Sequence, residues 1–270
     1  MSLIFQYCPS ITGATRVAVD SSPTGLTGTI NSWDEGVGRY LSGRNGAYLT
    51  SGQYISFSGV PNLLSFTISC WVYVTSTSGQ YIITRHGASF PNQSWYIYKS
   101  AGGTWSITAT AVDGSVTSAA VAGAMLDRWT HVCGVVTPTT LSLYIDGVFK
   151  SSNPADFEIN NNSLPLIIGR TNGSATDQLS DGIVDDVRIY NEAFQAENIF
   201  GLFASGPGFE YDDEEELFPS DTPIPNNLDI YLYPGDTTPS DIVLSNPLLQ
   251  RSTNVSLGCL YHHLFQGMTL

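Results

Sequence analysis

Hydrophobic and polar residues alternate along most of the chain, except in its last quarter. Segments with this alternation are separated by Gly, Asn, Ser or Pro and span 52–59, 64–75, 80–86, 94–100, 104–112, 128–136, 141–147, 164–170 and 182–190. Alternation in short runs rich in β-branched and aromatic residues predicts half-buried strands. Strands that recur about every ten residues, with turn residues between them, are typical of an antiparallel sandwich. We therefore expect an all-β fold of two sheets.

Two segments depart from this alternation. In "NEAFQAENIFGLFA" (191–204), apolar residues recur at helical spacing and predict one helical turn. After residue 205, Gly, Pro and the acidic block "FEYDDEEELF" indicate a solvated linker. The chain is thus predicted to comprise a domain over 1–205, an acidic linker over 206–227 and a C-terminal arm over 228–270.

The C-terminal arm returns to short alternating pieces such as "LDIYLYPGDTTPSDIVL", and its end is apolar. It is too short to bury a core of its own. An extended apolar segment can add strands to the sheet of a partner. We therefore expect the arm to dock on neighbouring subunits, in a homo-oligomer or on a capsid protein, through Tyr231, Tyr233, Ile242, Leu244 and Phe265.

The composition and net charge limit the classes of partner that the protein is expected to bind. Only 13% of the 270 residues are charged, the formal net charge is −14, and there are just two lysines, Lys99 and Lys150. An acidic surface repels phosphate backbones, so nucleic-acid binding is not expected. The sequence contains no apolar run long enough to span a membrane and no recognisable signal peptide at its start, so neither membrane insertion nor signal-directed export is expected.

Four pieces of the chain carry a resemblance to a known family. They are Asp20 with the "SSPTGLTGTI" that follows it (20–30), "FTISCWVYV" (66–74), "RWTHVCGVVTPTTLSLYIDGVFKSS" (128–152) and "DGIVDDVRIYNEAF" (181–194). In this order and spacing they resemble the laminin-G-like (concanavalin A-like lectin) jelly-roll family over roughly 15–205. The resemblance implies a two-sheet antiparallel jelly-roll sandwich.

The residues themselves support one part of that sandwich independently. Asp146-Gly147 lies between two alternating apolar runs, which is the sequence signal of a two-residue hairpin turn. We expect the strands on either side of this dipeptide to pair.

No predicted strand of the sequence carries a catalytic motif. Related glucanases carry a Glu-x-Asp-x-x-Glu strand, and the one match to that spacing, Glu210, Asp212 and Glu215, falls in the acidic block of the predicted linker and not in a predicted strand. Neither G-x-S-x-G nor H-E-x-x-H occurs, and His86 and His131 are isolated in sequence. We therefore predict that the protein is not an enzyme.

A calcium ion is implied by the resemblance, because jelly rolls of this kind often hold one between the opening loop and the last strand. Asp185 matches the position of the ligand carboxylate, and Asp20 in the opening loop is a second candidate. Calcium takes six to eight oxygen ligands from carboxylates and carbonyls. In the alternative interpretation, Asp185 and Asp186 bond backbone amides at the entry of a strand, and Arg188 pairs with a neighbour.

Sugar binding is the other activity that the resemblance implies, and it requires exposed aromatic rings with polar groups nearby. The candidates are Trp95, Tyr98 and Trp105. Alternation places Trp95 on one face of its strand and Tyr96 with Tyr98 on the other. In the alternative interpretation, the tryptophans fill the core and the tyrosines cover a sheet.

Three functions compete at this stage. The first is a non-enzymatic structural protein of a virion, whose jelly roll decorates the particle surface. The sequence of the arm favours a phage-type particle. The second is a carbohydrate-binding lectin module of an extracellular protein. The third is a glycan-cleaving enzyme whose catalytic residues escape recognition. The first two are compatible, because a surface domain can also bind glycans.

Overall fold

The computed structural model describes residues 3–7, 10–12, 15–18, 20–31, 34–37, 45–50, 52–156, 158–172, 179 and 181–205. The chain divides into two compact units, 1–203 and 204–270, and nearly all described residues belong to the first. The arm residues Tyr231, Tyr233, Ile242, Leu244 and Phe265 lie outside the described part, so their docking role and the boundaries at 205 and 227 stay predictions.

Strands account for most of the described residues. In chain order they are β1 (Leu3–Tyr7), β2 (Ser10–Thr12), β3 (Thr15–Val17), β4 (Gly28–Asn31), β5 (Asp34–Val37), β6 (Asn45–Leu49), β7 (Tyr54–Phe57), β8 (Phe66–Val74), β9 (Gln80–Arg85), β10 (Trp95–Lys99), β11 (Thr104–Thr110), β12 (Val116–Ala122), β13 (Trp129–Val136), β14 (Thr140–Ile145), β15 (Val148–Pro154), β16 (Leu166–Ile168) and β17 (Gly182–Tyr190). One helix, α1 (Ala196–Ser205), follows the last strand.

The strands form two large antiparallel sheets. The first sheet has the order β15-β14-β13-β8-β17-β6-β5, with β1 also paired to β17. The second has the order β12-β11-β10-β9-β16-β7-β4, and β2 and β3 form a separate hairpin. Two large sheets with a shared core confirm the predicted jelly-roll sandwich.

The core lies between the sheets and is built from the inward-facing half of each strand. Phe66 of the first sheet packs against Trp95 of the second, with ring centroids 5.3 Å apart. The layers approach closely at Gly134, where an added Cβ would lie 2.9 Å from Ile107. Burial of aromatic and branched side chains on both layers is the main source of stability in such a sandwich.

The predicted Asp146-Gly147 turn is confirmed. Both residues have positive φ, 52° and 74°, which is the conformation of a type I′ two-residue turn between β14 and β15. The Asp146 carboxylate also accepts a hydrogen bond from the His131 amide at 2.9 Å. The turn is thereby fixed to the neighbouring strand β13.

Helix α1 begins later and runs longer than the sequence predicts. Residues 191–195 form a turn held by Thr67, whose hydroxyl donates to the Glu192 carbonyl at 2.8 Å and accepts from the Phe194 amide at 2.9 Å. The helix then starts at Ala196 and places Phe203 against Trp71, with ring centroids 5.5 Å apart. A helix in this segment is confirmed. It starts after the turn that Thr67 holds, and it extends over ten residues, which is longer than the predicted single turn.

Strand β17 changes its neighbour at the two adjacent carboxylates. Its first half pairs with β6 and its second half with β1, while β8 runs along its other side with a bulge between Asp185 and Arg188. Asp186 sits in this bulge with φ of 48°. Both of its carboxylate oxygens accept hydrogen bonds from the buried Arg188 guanidinium, at 2.7 and 2.8 Å. The alternative interpretation of Arg188 as a pairing partner is thus confirmed.

Every strand predicted from alternation is present, as β7 to β11, β13, β14, β16 and β17. Strands β1 to β6, β12 and β15 lie outside the segments predicted from alternation, and β12 was missed because its sequence, "VTSAAVA", is mostly small residues. It forms nevertheless because β11 supplies a complete antiparallel partner from Thr104 to Thr110. Tertiary pairing here overrides a weak local preference.

Arg188→Gln is expected to lower the free energy of unfolding by about 3–5 kcal/mol, because it leaves the buried Asp186 carboxylate without its guanidinium. Asp186→Asn combined with Arg188→Gln is expected to recover part of that loss, since Asn also tolerates positive φ. Urea denaturation of both variants, with Asp186→Asn alone completing the cycle, measures the coupling. A loss below about 1 kcal/mol for Arg188→Gln would show that the pair is not structural.

Candidate functional site

The outer face of the second sheet carries a group of contacting aromatic rings. We define the tyrosine cluster as Tyr81, Tyr96 and Tyr98 together with His86, all half-exposed. Ring centroids of Tyr81 lie 5.0 Å from Tyr96 and 4.6 Å from Tyr98, and His86 lies 4.7 Å from Tyr96. Alternation along β10 brings this about, because Trp95, a neighbour in sequence, turns into the core.

A row of mostly hydroxyl-bearing residues crosses the same face. Adjacent strands place them opposite one another in the order Ser118, Thr108, Tyr96, Thr84, Ile167, Ser56 and Thr29. The row crosses all seven strands of the second sheet, a distance of roughly 29 Å at the usual strand spacing.

Accessible hydroxyls of this face lie on both sides of the aromatic rings. Thr84 and Thr108 are covered by their neighbours, whereas Ser118, Ser56 and Thr29 are exposed or half-exposed. The half-exposed Ser106 lies directly opposite Tyr98 on β11. The face is therefore an extended polar surface with aromatic rings near its middle.

Charge is nearly absent from this sheet. The sequences of β4, β7, β9, β10, β11, β12 and β16 contain no Asp or Glu, although the chain as a whole has a formal net charge of −14. Their only charged residues, Arg85 and Lys99, are buried, with 3% and 1% of their surface exposed. These strands thus present neutral polar and aromatic groups on the outer face, and a loop cation, Arg170, lies over the Tyr54 ring at 4.0 Å from its centroid.

The two buried cations fix the loops at either end of the tyrosine cluster. Lys99 Nζ donates to the carbonyls of Ser76 and Ser78, at 2.9 and 3.3 Å, and so holds the loop between β8 and β9. Burial lowers the pKa of Lys99. The side chain acts as a fixed donor that ties this loop to the sheet.

Arg85 holds loops at the opposite end of the tyrosine cluster. Its guanidinium donates to the Pro61 carbonyl at 2.9 Å, to the Asn62 side chain at 3.0 Å and to the Asn162 carbonyl. Burial lowers the pKa of Arg85 as well. Two loops from distant parts of the sequence are thereby held against β9.

His86 is neutral over most of the accessible pH range. Desolvation by burial lowers its pKa from 6.5 to about 4. A neutral imidazole has one donor and one acceptor nitrogen, which suits hydrogen bonding to hydroxyl groups. The ring therefore adds a polar contact to the tyrosine cluster without adding charge.

The predicted sugar residues are only partly placed where a sugar could reach them. Trp95 and Trp105 are 0% and 2% exposed and point into the core, so their predicted role in stacking on sugar was wrong. Tyr98 lies on the outer face, as its opposite parity to Trp95 requires. Tyr81 was missed, because the sequence does not reveal that β9 pairs beside β10 and brings its tyrosine to Tyr96 and Tyr98.

Asp20 lies beside β1 and Asp185 lies beside β8, and each accepts at least one hydrogen bond from a backbone amide. Asp20 accepts from the amides of Gln6, Ser22 and Leu26 at 2.8, 2.9 and 3.1 Å. Asp185 accepts from the Asp186 amide at 2.7 Å. Within the described residues, no group of three or more His, Cys, Asp or Glu side chains forms a metal-binding cluster. The calcium role of both residues stays a prediction.

One buried pair has the appearance of catalytic chemistry. Ser69 Oγ and His131 Nε2 lie 2.8 Å apart, the separation of a nucleophile and its general base. Both residues are buried, and the His131 ring packs between Trp71 and Phe203 at centroid distances of 5.0 and 5.9 Å. A substrate cannot reach this hydroxyl in the folded chain, so the pair joins β8 to β13 instead.

The family comparison agrees with this architecture. Residues 45–200 match the family model described as the concanavalin A-like lectin/glucanases superfamily. No curated protein matches the sequence. No helix among the described residues is long and apolar enough to cross a membrane.

Several solved structures with the same fold are binding domains, including domains of botulinum neurotoxins. The binding domain of Paraclostridial Mosquitocidal Protein 1 has a TM-score of 0.62 at 16% identity, covering 76% of this chain and 52% of that one. The botulinum neurotoxin serotype D binding domain has a TM-score of 0.61 with the same identity and coverage. Its ligand-binding domain in complex with N-acetylneuraminic acid also has a TM-score of 0.61 at 16% identity, covering 76% of this chain and 51% of that one. The chain spans about half the length of these proteins, and the likeness concerns the fold.

The lowered pKa of His86 predicts a specific dependence of stability on pH. Because the unfolded chain binds this proton more readily, His86 stabilises the fold fully above pH 6.5 and progressively less as the pH falls toward 4. After allowance for partial solvation, the loss is expected to be about 1–2 kcal/mol. Urea denaturation at pH 7 and 4.5 should show a smaller loss in His86→Gln than in the wild type. Equal losses in both proteins would contradict the assignment.

Proposed function

The chain belongs to the concanavalin A-like lectin/glucanases superfamily, and we propose that within it this protein is a non-enzymatic carbohydrate-binding module. The tyrosine cluster on the outer face of the second sheet is the proposed binding site. The observation that carries the proposal is the contact of three half-exposed tyrosine rings on a sheet face without carboxylates.

The chemistry of a sugar suits this surface. A pyranose ring presents C–H groups on its faces and hydroxyls around its rim, so it binds where an aromatic face adjoins donors and acceptors. Tyr81, Tyr96 and Tyr98 offer the aromatic area. The hydroxyl of Ser106 lies beside Tyr98, and that of Ser118 lies two strands from Tyr96. An oligosaccharide laid across the strands would contact both kinds of group.

The site is held rigid before any ligand binds. The cluster rests on paired strands, and Lys99 and Arg85 fix the loops at its two ends through buried hydrogen bonds. Sugars are weak ligands, and a site that does not need to be ordered on binding loses less of its interaction free energy. This rigidity supports a role in recognition.

The solved structures support the same class of ligand. The neurotoxin domain with this fold that was solved with N-acetylneuraminic acid is a binding domain of its toxin. Its likeness to this chain covers about half of that domain, so the sugar itself carries over only as a chemical class. The comparison structures are binding domains, which also supports the proposal that this protein does not cleave its ligand.

Tyr81→Ala and Tyr96→Ala are each expected to weaken glycan binding about tenfold, because each removes one stacking face. A glycan array would first identify a ligand of the wild-type protein, and isothermal titration calorimetry would then compare the variants. Tyr73→Ala is the matched control, since Tyr73 is a half-exposed tyrosine on the outer face of the first sheet.

The test compares glycan binding by variants on the outer face of the second sheet with binding by the control variant on the first sheet. The proposal requires that Tyr73→Ala bind the glycan like the wild type while all three variants keep the wild-type circular dichroism spectrum. Failure of the wild type to bind any glycan would refute the sugar function. Equal weakening by Tyr73→Ala would show that the site lies elsewhere.

A second function is favoured by the sequence beyond residue 205. We propose that the protein is also a structural component of a surface assembly. The favoured assembly is a virion and the alternative is an extracellular surface, and the arm over 228–270 would dock the protein there. The support is compositional: a Gly-, Pro- and acid-rich segment precedes a more apolar one that is too short to bury a core of its own. The partners would be copies of this chain or other subunits of the assembly.

Tyr231→Ser combined with Tyr233→Ser is expected to reduce the assembled fraction of the full-length protein at least about tenfold, since two buried aromatic contacts would be lost. Sedimentation velocity of the native assembly measures that fraction. Thr237→Ser, a mild change in the same arm, is the control. An unchanged assembled fraction in the double variant would contradict the docking role of the arm.

A further inference from the structure

A cavity of about 230 Å³ opens at one end of the sandwich, where the edges of the two sheets meet. Its floor consists of core residues. Trp105 and Val121 are opposite one another on β11 and β12, and Ile145 lies at the end of β14 on the facing sheet. These side chains point inward, so the cavity lies on the opposite side of the second sheet from the tyrosine cluster.

Charged residues of both signs surround the mouth of this cavity. Lys150 and Arg128 provide two cations, and Asp146 provides one carboxylate. Asp146 is already engaged, because its side chain pairs with Arg128 and accepts from the His131 amide at 2.9 Å. Met125, which is 59% exposed, completes the rim with an apolar and flexible side chain.

Lys150 is an unusual residue in this chain. The sequence has only two lysines against a formal net charge of −14, and the other lysine, Lys99, is buried and occupied with loop carbonyls. Lys150 is therefore the one exposed lysine, and it lines the cavity. Among the described residues, the ammonium group of Lys150 has neither a hydrogen bond nor an ion pair. Its charge is available to a ligand.

Size and polarity together define the class of ligand. The volume lies below the range of about 300–1,000 Å³ that holds drug-sized molecules, and above the roughly 150 Å³ that holds benzene in an apolar cavity. An apolar floor favours an aromatic or branched aliphatic body. A single available ammonium at the mouth favours one negative charge on the exposed end.

We propose that this cavity is a second ligand site that binds a small monocarboxylate with an aromatic or apolar body. The body lies against Val121 and Met125, over a floor closed by Trp105 and Ile145, and the carboxylate accepts hydrogen bonds from Lys150. The Arg128–Asp146 pair forms the neighbouring wall of the mouth and contributes no net charge. The site is separate from the tyrosine cluster and does not depend on the proposed glycan function.

The test compares a charged probe with a neutral probe of the same shape on the full-length protein. Phenylacetate and 2-phenylethanol share the aromatic body and differ in the carboxylate. Dissociation constants would be measured by ligand titration in two-dimensional NMR at low salt. The variants are Lys150→Gln, which removes the charge at the surface, and Val121→Phe, which fills the cavity. Arg170→Gln serves as the control, because Arg170 lies over Tyr54 of the second sheet, 4.0 Å from its ring centroid.

The proposal predicts that phenylacetate binds the wild type at least about fivefold more tightly than 2-phenylethanol, the effect of one favourable charge pair. Lys150→Gln should abolish this difference, Val121→Phe should abolish binding of both probes, and Arg170→Gln should change neither. Absence of phenylacetate binding to the wild type would overturn the proposal. A preference for the carboxylate that survives Lys150→Gln would overturn it as well, and this variant changes only an exposed side chain.

Discussion

The alternation of side chains along β10 is the constraint on which the rest of the structure depends. Successive side chains of a strand point to opposite faces, so Trp95, Ile97 and Lys99 must enter the interior if Tyr96 and Tyr98 face outward. A shift of one residue would bury the tyrosines and expose the indole. The register with β9 and β11 therefore builds the core and the tyrosine cluster at the same time.

Buried charge in this protein serves to fix backbone geometry. Arg85 and Lys99 hold loop carbonyls, and the Asp186–Arg188 pair fixes the bulge where β17 exchanges β6 for β1. A charge that is removed from water must be compensated by close hydrogen bonds. The position of such a group relative to its hydrogen-bond partners is therefore tightly constrained. The strands of the second sheet consequently carry no charged side chain on their outer face.

Sequence alone could predict the fold and only part of the site. Period-two alternation and the Asp146-Gly147 turn are local signals, and both are confirmed in the structure. Choosing between Trp95 and Tyr98 as the outward residue required knowledge of which face meets the other sheet, and that is a tertiary property. The meeting of Tyr81 with Tyr96 likewise depends on strand pairing and a bulge between β9 and β10, which leave no mark in local sequence.

The central claim is that a glycan binds across the outer face of the second sheet. The most direct measurement is a titration of tyrosine-labelled protein with an oligosaccharide identified by array binding, followed by aromatic-ring NMR signals. The shifts are expected to concentrate on Tyr81, Tyr96 and Tyr98, with Tyr73 and Tyr190 on the other sheet unchanged. Shifts confined to tyrosines of the first sheet, or their absence from all tyrosines despite binding, would contradict it.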